Sequence, residues 1–412
     1  MDKTVVISID SLESSDIPFL KERPHFSSLL LNSSLVEELE IVYPSYTYPC
    51  HASIISGVYP DKHSIIHNES FPTNKWHWFY KDMKARSLFY YTRKKGLTTS
   101  SITWPVTASC PYIDYLIPEI WPEKGKDPDT VFKKANSKKA DEIYKKHKSI
   151  LTSGLEYYYD IFATNVAIDI ISNFSPDLLF IHLSALDTSR HKKGENIKKN
   201  IDSLIFLDDA IGKIISAIKK SGFFSDTTFF LLGDHGQMDI KRVFSINKVL
   251  LDMGYITVKN NIIDYRIIAH PSSFSSFIYT KDIEKKEAER ILNTIKERYP
   301  ECIERILTKD EAEKRFHLSG LFSFVLESRD NITFSPSFSP SLIIEEPSTT
   351  LSSHGYSPEK GPKPPLIVSG KRANIGQVIE KARLVDIAPT ILSIYDIQMD
   401  NIDGKKINNL LI

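Results

Sequence analysis

Cysteine is scarce in this 412-residue sequence: Cys50, Cys110 and Cys302 are odd in number and widely spaced. That count excludes a disulfide framework and a zinc finger of paired thiols. A cytoplasmic protein with free thiols is the plain expectation. Net charge is also missing. Lys+Arg and Asp+Glu both number 52, so nothing global draws the chain to nucleic acid or to an anionic membrane. Attraction for a phosphate substrate has to be local. No apolar run approaches the roughly 18 residues of a membrane span. The opening stretch Met1 to Asp10 has about five apolar residues before its carboxylate, against roughly 7–15 in a secretory leader. A leader is therefore not expected. There is no Gly-rich phosphate loop either, which removes the commonest metal-free phosphate cradle.

What is present is ordinary globular composition, 41% hydrophobic and 25% charged. The length suits one large domain with insertions, or two domains. Val5 to Ile9 is an apolar, β-branched run interrupted only by Ser8 and ending at Asp10, as a buried parallel strand would be. Asp177 to Leu183 is a second run, followed by Asp187. Thr227 to Leu232 is a third, followed by Asp234-His235, and Pro365 to Val368 is a fourth, ending at Ser369-Gly370. Between them, Ile197, Ile201, Leu204, Leu207, Ile211, Ile214 and Ile218 recur at helical steps, closed by Gly222. Strands alternating with helices predict an α/β fold with a mostly parallel central sheet sandwiched by helices. Ligands of such sheets bind outside the carboxyl ends of the strands. Three strands here deliver an acidic residue to that edge.

Residues 1–245 and 346–412 are expected to form the catalytic core, with an insertion at about 72–160. That insertion holds an aromatic patch (Trp76, Trp78, Phe79, Tyr80), a turn region near Trp121-Pro122 and a Lys-rich stretch from Lys124 to Lys148. Residues 246–345 read as a smaller α+β insertion, with a helix over Asp282 to Arg298 and a loop over Ser335 to Ser341. Arg383 to Leu392 reads as a core helix.

Four short segments carry chemistry. In Tyr46-Thr47-Tyr48-Pro49-Cys50-His51, Pro49 suits a first helical turn and Gly57 a helix stop, which puts Thr47 at a helix N-terminus. The dipole and free N–H groups there favour an alkoxide or a phosphate oxygen. Alone, Thr47 is more simply a helix cap. The others are Asp187-Thr188-Ser189-Arg190-His191, Gly233-Asp234-His235-Gly236 and Ser353-His354-Gly355-Tyr356. Asp and His at loop positions after strands are good zinc ligands. Asp10, Thr47, Asp187, His191, Asp234, His235 and His354 together offer seven oxygen and nitrogen donors, a set suited to two adjacent ions.

In order and spacing these segments resemble the nucleotide pyrophosphatase/phosphodiesterase branch of the alkaline phosphatase superfamily. Gly57-Val58-Tyr59-Pro60-Asp61-Lys62-His63, Asn68 and the tail Arg383 to Thr390 belong to the same pattern. The resemblance implies an alkaline-phosphatase-like fold and two divalent ions, zinc first and manganese as the alternative. Asp187, His191 and His354 would hold one ion. Asp10, Asp234, His235 and the Thr47 oxygen would hold the other. Asn68 matches the family's asparagine that donates to a phosphoryl oxygen. The implied reaction is hydrolysis of phosphodiester or phosphoanhydride bonds, with nucleotide-type small molecules as partners, through a covalent phosphoryl-threonine.

Neighbouring branches fit less well. There is no Cys-x-Pro-x-Arg signature of sulfatases and phosphonate monoester hydrolases, and no Asp-Ser-Ala context of the monoesterases. Phosphonoacetate-type or phosphomonoester hydrolysis at the same site is the alternative, and a non-catalytic metal-binding protein a distant third. Tyr46 and Tyr48 stand where nucleotide-cleaving members often carry Lys and Phe; Tyr48 would still stack on a base. Oligomeric state is left open.

Overall fold

Strand β1 (Lys3–Ile9) shows why the apolar runs carry no polar alternation. Val5, Ile7 and Ile9 enter one hydrophobic cluster and Val6 enters another. The same split recurs in the strands on either side of it, so these strands are buried on both faces. The computed structural model describes residues 2–121, 127–259 and 262–412. The start of the expected Lys-rich stretch and Pro122 of the expected turn region lie outside the described residues.

In chain order the remaining strands of the large sheet are β2 (Ser33–Glu40), β3 (Thr99–Ile102), β4 (Tyr115–Ile117), β5 (Leu178–Leu183) and β6 (Thr227–Leu232). The antiparallel sheet described below adds β7 to β10, and β11 (Leu366–Gly370) and β12 (Val378–Arg383) complete the large sheet. Its spatial order is β12-β2-β11-β6-β1-β5-β3-β4. On one face lie helices α1 (Pro24–Leu30), α3 (Tyr158–Phe174) and α5 (Ile201–Lys220). On the other lie α2 (Thr47–Ser56) and α7 (Ile387–Ser393). The architecture is the expected α/β sandwich.

Several local readings are corrected. β11 runs antiparallel to both β2 and β6, whereas the other junctions of the sheet are parallel. Its start therefore lies at the edge where β1, β5 and β6 end. Helix α5 begins at Ile201, and Ile197 sits in a separate turn of 3-10 helix before it. Arg383 ends a strand, with only Ile387–Ser393 as α-helix behind it. Of residues 72–160, taken as an insertion, β3 and β4 are strands of the central sheet itself. Short strands without a clear period hide this in the sequence.

A four-stranded antiparallel sheet has the order β7 (Ile267–Ser272), β8 (Ser275–Thr280), β10 (Phe324–Ser328), β9 (Ile303–Thr308). Helix α6 spans Lys285–Arg298, starting three residues later than expected from Asp282. Ile291, Leu292 and Ile295 of that helix join Phe277 and Leu326 in a core of their own. The start of β8 reaches the chain that leads into β11: Ser275 Oγ donates to the Gly355 carbonyl oxygen at 2.5 Å. Among the described residues, no helix is long and apolar enough to cross a membrane.

Candidate active site

The three central strands β6, β1 and β5 lie side by side and parallel, so their carboxyl ends open on one edge. Asp10 follows β1 directly. Asp234 and His235 follow β6 after Gly233. Asp187 and His191 are not loop residues as expected. They lie one helical turn apart on α4 (Ala185–Lys193), which starts as β5 ends, and that spacing puts both side chains on one face. The Asp160 carboxylate fixes the start of α4 by accepting from the N–H groups of Ser184 and Ala185, at 2.9 and 2.8 Å. His354 arrives from the chain ahead of antiparallel β11. Gly355, beside it, has φ +94°, and a side chain there would collide with the Ser272 carbonyl oxygen. Only glycine suits both conditions.

Thr47 is the first residue of α2. Its Oγ1 lies 3.3 Å from His235 Nε2. The same nitrogen is 3.3 Å from Asp10 Oδ1 and 3.2 Å from Asp234 Oδ2. Tetrahedral donors bound at about 2.0–2.1 Å are separated by about 3.3 Å, so these separations fit one shared ion. Asp10 Oδ1 and Asp234 Oδ2 are buried with no hydrogen-bond partner among the described residues, which is costly unless a cation is supplied. Burial and the Asp187 charge push the Asp10 carboxyl up to about 7. Burial and Asp10 push Asp234 up as well.

Asp187, His191 and His354 form the second group, with ligand atoms all within 4.8 Å of one another; Asp10, Asp187 and His235 satisfy the same condition. His191 Nε2 is 3.3 Å from Asp187 Oδ2, and His354 Nε2 is 3.8 Å from Asp187 Oδ1. His191 Nδ1 donates to the Ser352 carbonyl at 2.7 Å, and His354 Nδ1 to the Ser45 carbonyl at 3.1 Å. A carbonyl can only accept, so both protons sit on Nδ1 and both Nε2 atoms are free to ligate. Burial opposes ionisation of Asp187, but its neighbours, His191 above all, then His354 and His235, hold its carboxyl below the usual range.

Asn68 Oδ1 accepts the N–H of Tyr48 at 3.0 Å. That fixes the amide, leaving its NH₂ as the donor end. Tyr48, expected to offer a face to a base, is fully buried, with its ring edge-on to Trp76 at 5.4 Å. Trp76, Trp78 and Trp121 line one cavity of about 650 Å³.

Other residues at the site were not foreseen. Ser11 N–H donates to Asp234 Oδ1 at 3.2 Å, and Gln237 Nε2 to Asp187 Oδ1 at 2.6 Å. His51 Nδ1 donates to the Thr47 carbonyl at 2.7 Å and lies 3.5 Å from Asp234 Oδ2. His182, inside the apolar run of β5, contacts Asp10. A histidine inside an apolar strand was the available signal. Arg190, between the two α4 ligands in sequence, turns away. It pairs with Asp16 Oδ1 at 2.8 Å and Glu13 Oε1 at 3.0 Å, and with the Ser11 carbonyl.

The family model described as Type I phosphodiesterase / nucleotide pyrophosphatase matches residues 4–359. Among curated proteins, bis(5'-adenosyl)-triphosphatase ENPP4 of Homo sapiens is 21% identical over 96% of this chain and 78% of its own length. Ectonucleotide pyrophosphatase/phosphodiesterase family member 1 of Homo sapiens is 24% identical over 57% of this chain, but that match spans only 24% of the relative's length. Among solved structures, murine ENPP5 superposes with a TM-score of 0.74 at 17% identity, covering 100% of both chains. An inactive threonine-to-alanine variant of that mouse protein in complex with AMP superposes equally well, at 16% identity.

Proposed function

The chain belongs to the type I phosphodiesterase / nucleotide pyrophosphatase family, a family of metal-dependent hydrolases, and from that premise we propose that it hydrolyses phosphodiester or phosphoanhydride bonds of nucleotide-type substrates with Thr47 as nucleophile. The observation that carries the reading is the convergence of Thr47 Oγ1, Asp10 Oδ1 and Asp234 Oδ2 on His235 Nε2. Asp187, His191 and His354 would hold one divalent ion, and Asp10, Thr47, Asp234 and His235 the other. The oxygen and imidazole donors, without thiolate, suit zinc, with manganese as the alternative. Ions bound there would supply Lewis acidity, lowering the pKa of the threonine hydroxyl and offsetting charge on phosphorus-bound oxygens.

The chain's own groups do the rest. Thr47 attacks phosphorus from the start of α2, where the helix dipole favours developing negative charge. The Asn68 NH₂ donates to a phosphoryl oxygen. As the threonine oxygen bonds to phosphorus, the bond from phosphorus to the leaving alcohol or phosphate oxygen breaks, giving a covalent phosphoryl-threonine; water then bonds to phosphorus, and the threonine oxygen leaves and takes up a proton. The tryptophan-lined cavity is suited to the planar part of the substrate, with Trp76 backing Tyr48. Arg190 supports a diester over a monoester dianion: its guanidinium is committed to Asp16 and Glu13 and is not available to grip a doubly charged phosphate.

The test is cleavage of bis-p-nitrophenyl phosphate by wild type and Thr47→Ala, with bound metal quantified by mass spectrometry in both. Turnover is expected to fall by about a thousandfold or more with metal retained. Full activity in the variant would sink the nucleophile assignment.

A further inference from the structure

β5 carries one polar residue close to its carboxyl end, His182, in the run Leu178-Leu179-Phe180-Ile181-His182-Leu183. An imidazole buried there is costly unless its nitrogens are partnered. They are. Nδ1 donates to Glu119 Oε2 at 2.8 Å, with the Thr103 carbonyl 3.1 Å away, and Nε2 donates to Asp10 Oδ2 at 3.2 Å. Thr103 Oγ1 in turn donates to the His182 carbonyl at 2.7 Å, so ring and backbone are tied to the same loop. Glu119 is fixed at its other oxygen, which accepts from the indole N–H of Trp121 at 3.2 Å. His182, Glu119 and Asp10 are all buried.

The two oxygens of Asp10 are consequently not equivalent. Oδ2 is held by the imidazole. Oδ1 has no hydrogen-bond partner among the described residues and faces His235 Nε2. We propose that His182, braced by Glu119, is a positioning residue that pins one oxygen of Asp10 and presents the other to the ion shared with Asp234 and His235. This rests on the two-ion reading given above. Outer partners of this kind typically contribute about 10–100-fold in metal affinity, because an unpinned ligand must be ordered on binding. His182 makes no hydrogen bond to Asp187, His191 or His354, so the effect falls on one ion only.

The experiment is a Zn²⁺ titration of the metal-free full chain by calorimetry, with competition against a chromophoric chelator. Wild type is expected to take two equivalents. His182→Leu should bind one as before and the other about 10–100-fold more weakly. His182→Gln, whose amide nitrogen sits near the position of the imidazole Nε2, should restore most of that loss. Glu119→Gln should weaken the same equivalent by a smaller factor. In the kinetics, the His182→Leu defect should shrink as Zn²⁺ is raised, with KM unchanged. Equal binding of both ions by His182→Leu and wild type would overturn the proposal, as would a loss shared by both ions. If His182→Leu does not fold, Glu119→Gln decides: two ions bound with wild-type affinity overturn it. A wild type that takes fewer than two equivalents instead refutes the two-ion reading, and the proposal falls with it.

Discussion

Replacing Arg190 with methionine is a direct test of what braces the site from below. The side chain is 1% exposed and Asp16 is equally buried. Its guanidinium meets both Asp16 oxygens, at 2.8 and 3.0 Å, Glu13 Oε1 at 3.0 Å, and the Ser11 carbonyl. Arg190→Met keeps most of the apolar volume and removes the cation. Breaking a buried pair by deleting one partner costs about 3–5 kcal/mol, because the other charge is left uncompensated. The lower end applies at pH 7. Burial already pushes the Glu13 carboxyl up to about 7 against the pull of Arg190, so Glu13 can take a proton there at little further cost, and Asp16 carries most of the loss.

The sign with pH follows from the same shifts. Glu13 and Asp16 are raised on folding, so the native state binds protons the unfolded chain does not. Their contribution is complete below the unfolded carboxyl values and is lost as pH rises through the folded ones. Removing Arg190 raises them further, so the variant should lose stability more steeply with rising pH than wild type does. Urea unfolding at pH 5 and pH 8, with chelator present to remove metal linkage, measures this. A cost of about 3 kcal/mol at pH 7 corresponds to roughly 3–4 °C in Tm for a chain of this length. A cost below about 1 kcal/mol, or one no larger at pH 8 than at pH 5, would refute the reasoning.

Two further outcomes are expected. Gly355→Ala forces a side chain into φ +94° and onto the Ser272 carbonyl, so it should shift His354, destabilise the fold by about 1–3 kcal/mol and weaken metal binding; wild-type Tm and metal content together would count against it. Burial raises the Asp114 carboxyl, but Lys139 at 2.8 Å and Arg93 at 2.6 Å bring it below the usual range overall. Its stabilisation is present above the unfolded value and lost as pH falls through the folded one. Asp114→Asn should therefore cost about 1 kcal/mol at pH 7, since both cations are half exposed, and the gap to wild type should close in an acid unfolding series as pH falls below the usual carboxylate range.

The parts legible in the sequence are those set by local rules. The apolar runs ending in Asp10 and before Asp234 mark buried strands, because a strand covered on both faces has no polar alternation. Thr47 at the start of a helix closed by Gly57 follows from the αL preference of glycine, φ +68° here. The i, i+4 spacing of Asp187 and His191 already encodes a shared helical face, although the residues were expected in a loop.

Other features depended on which distant segments meet. Nothing in Pro365 to Val368 says that the strand runs antiparallel, yet that direction is what places the chain carrying His354 at the working edge. Short β3 is a strand because β5 offers it an open edge to pair with, and β4 because β3 then offers the next one. Arg190 lies between two candidate ligands in sequence, and only the packing of the Glu13–Asp16 turn draws it away from them. His182 is one polar residue in an apolar run until Glu119 and Asp10 arrive from other strands. By itself, the sequence determined the α/β class and the donor residues at the strand ends, since these follow from backbone periodicity and residue chemistry. The tertiary structure decided how the donors are oriented and held, because Asp10, Asp187, Asp234, His191 and His354 are each oriented by hydrogen bonds with residues remote in the chain.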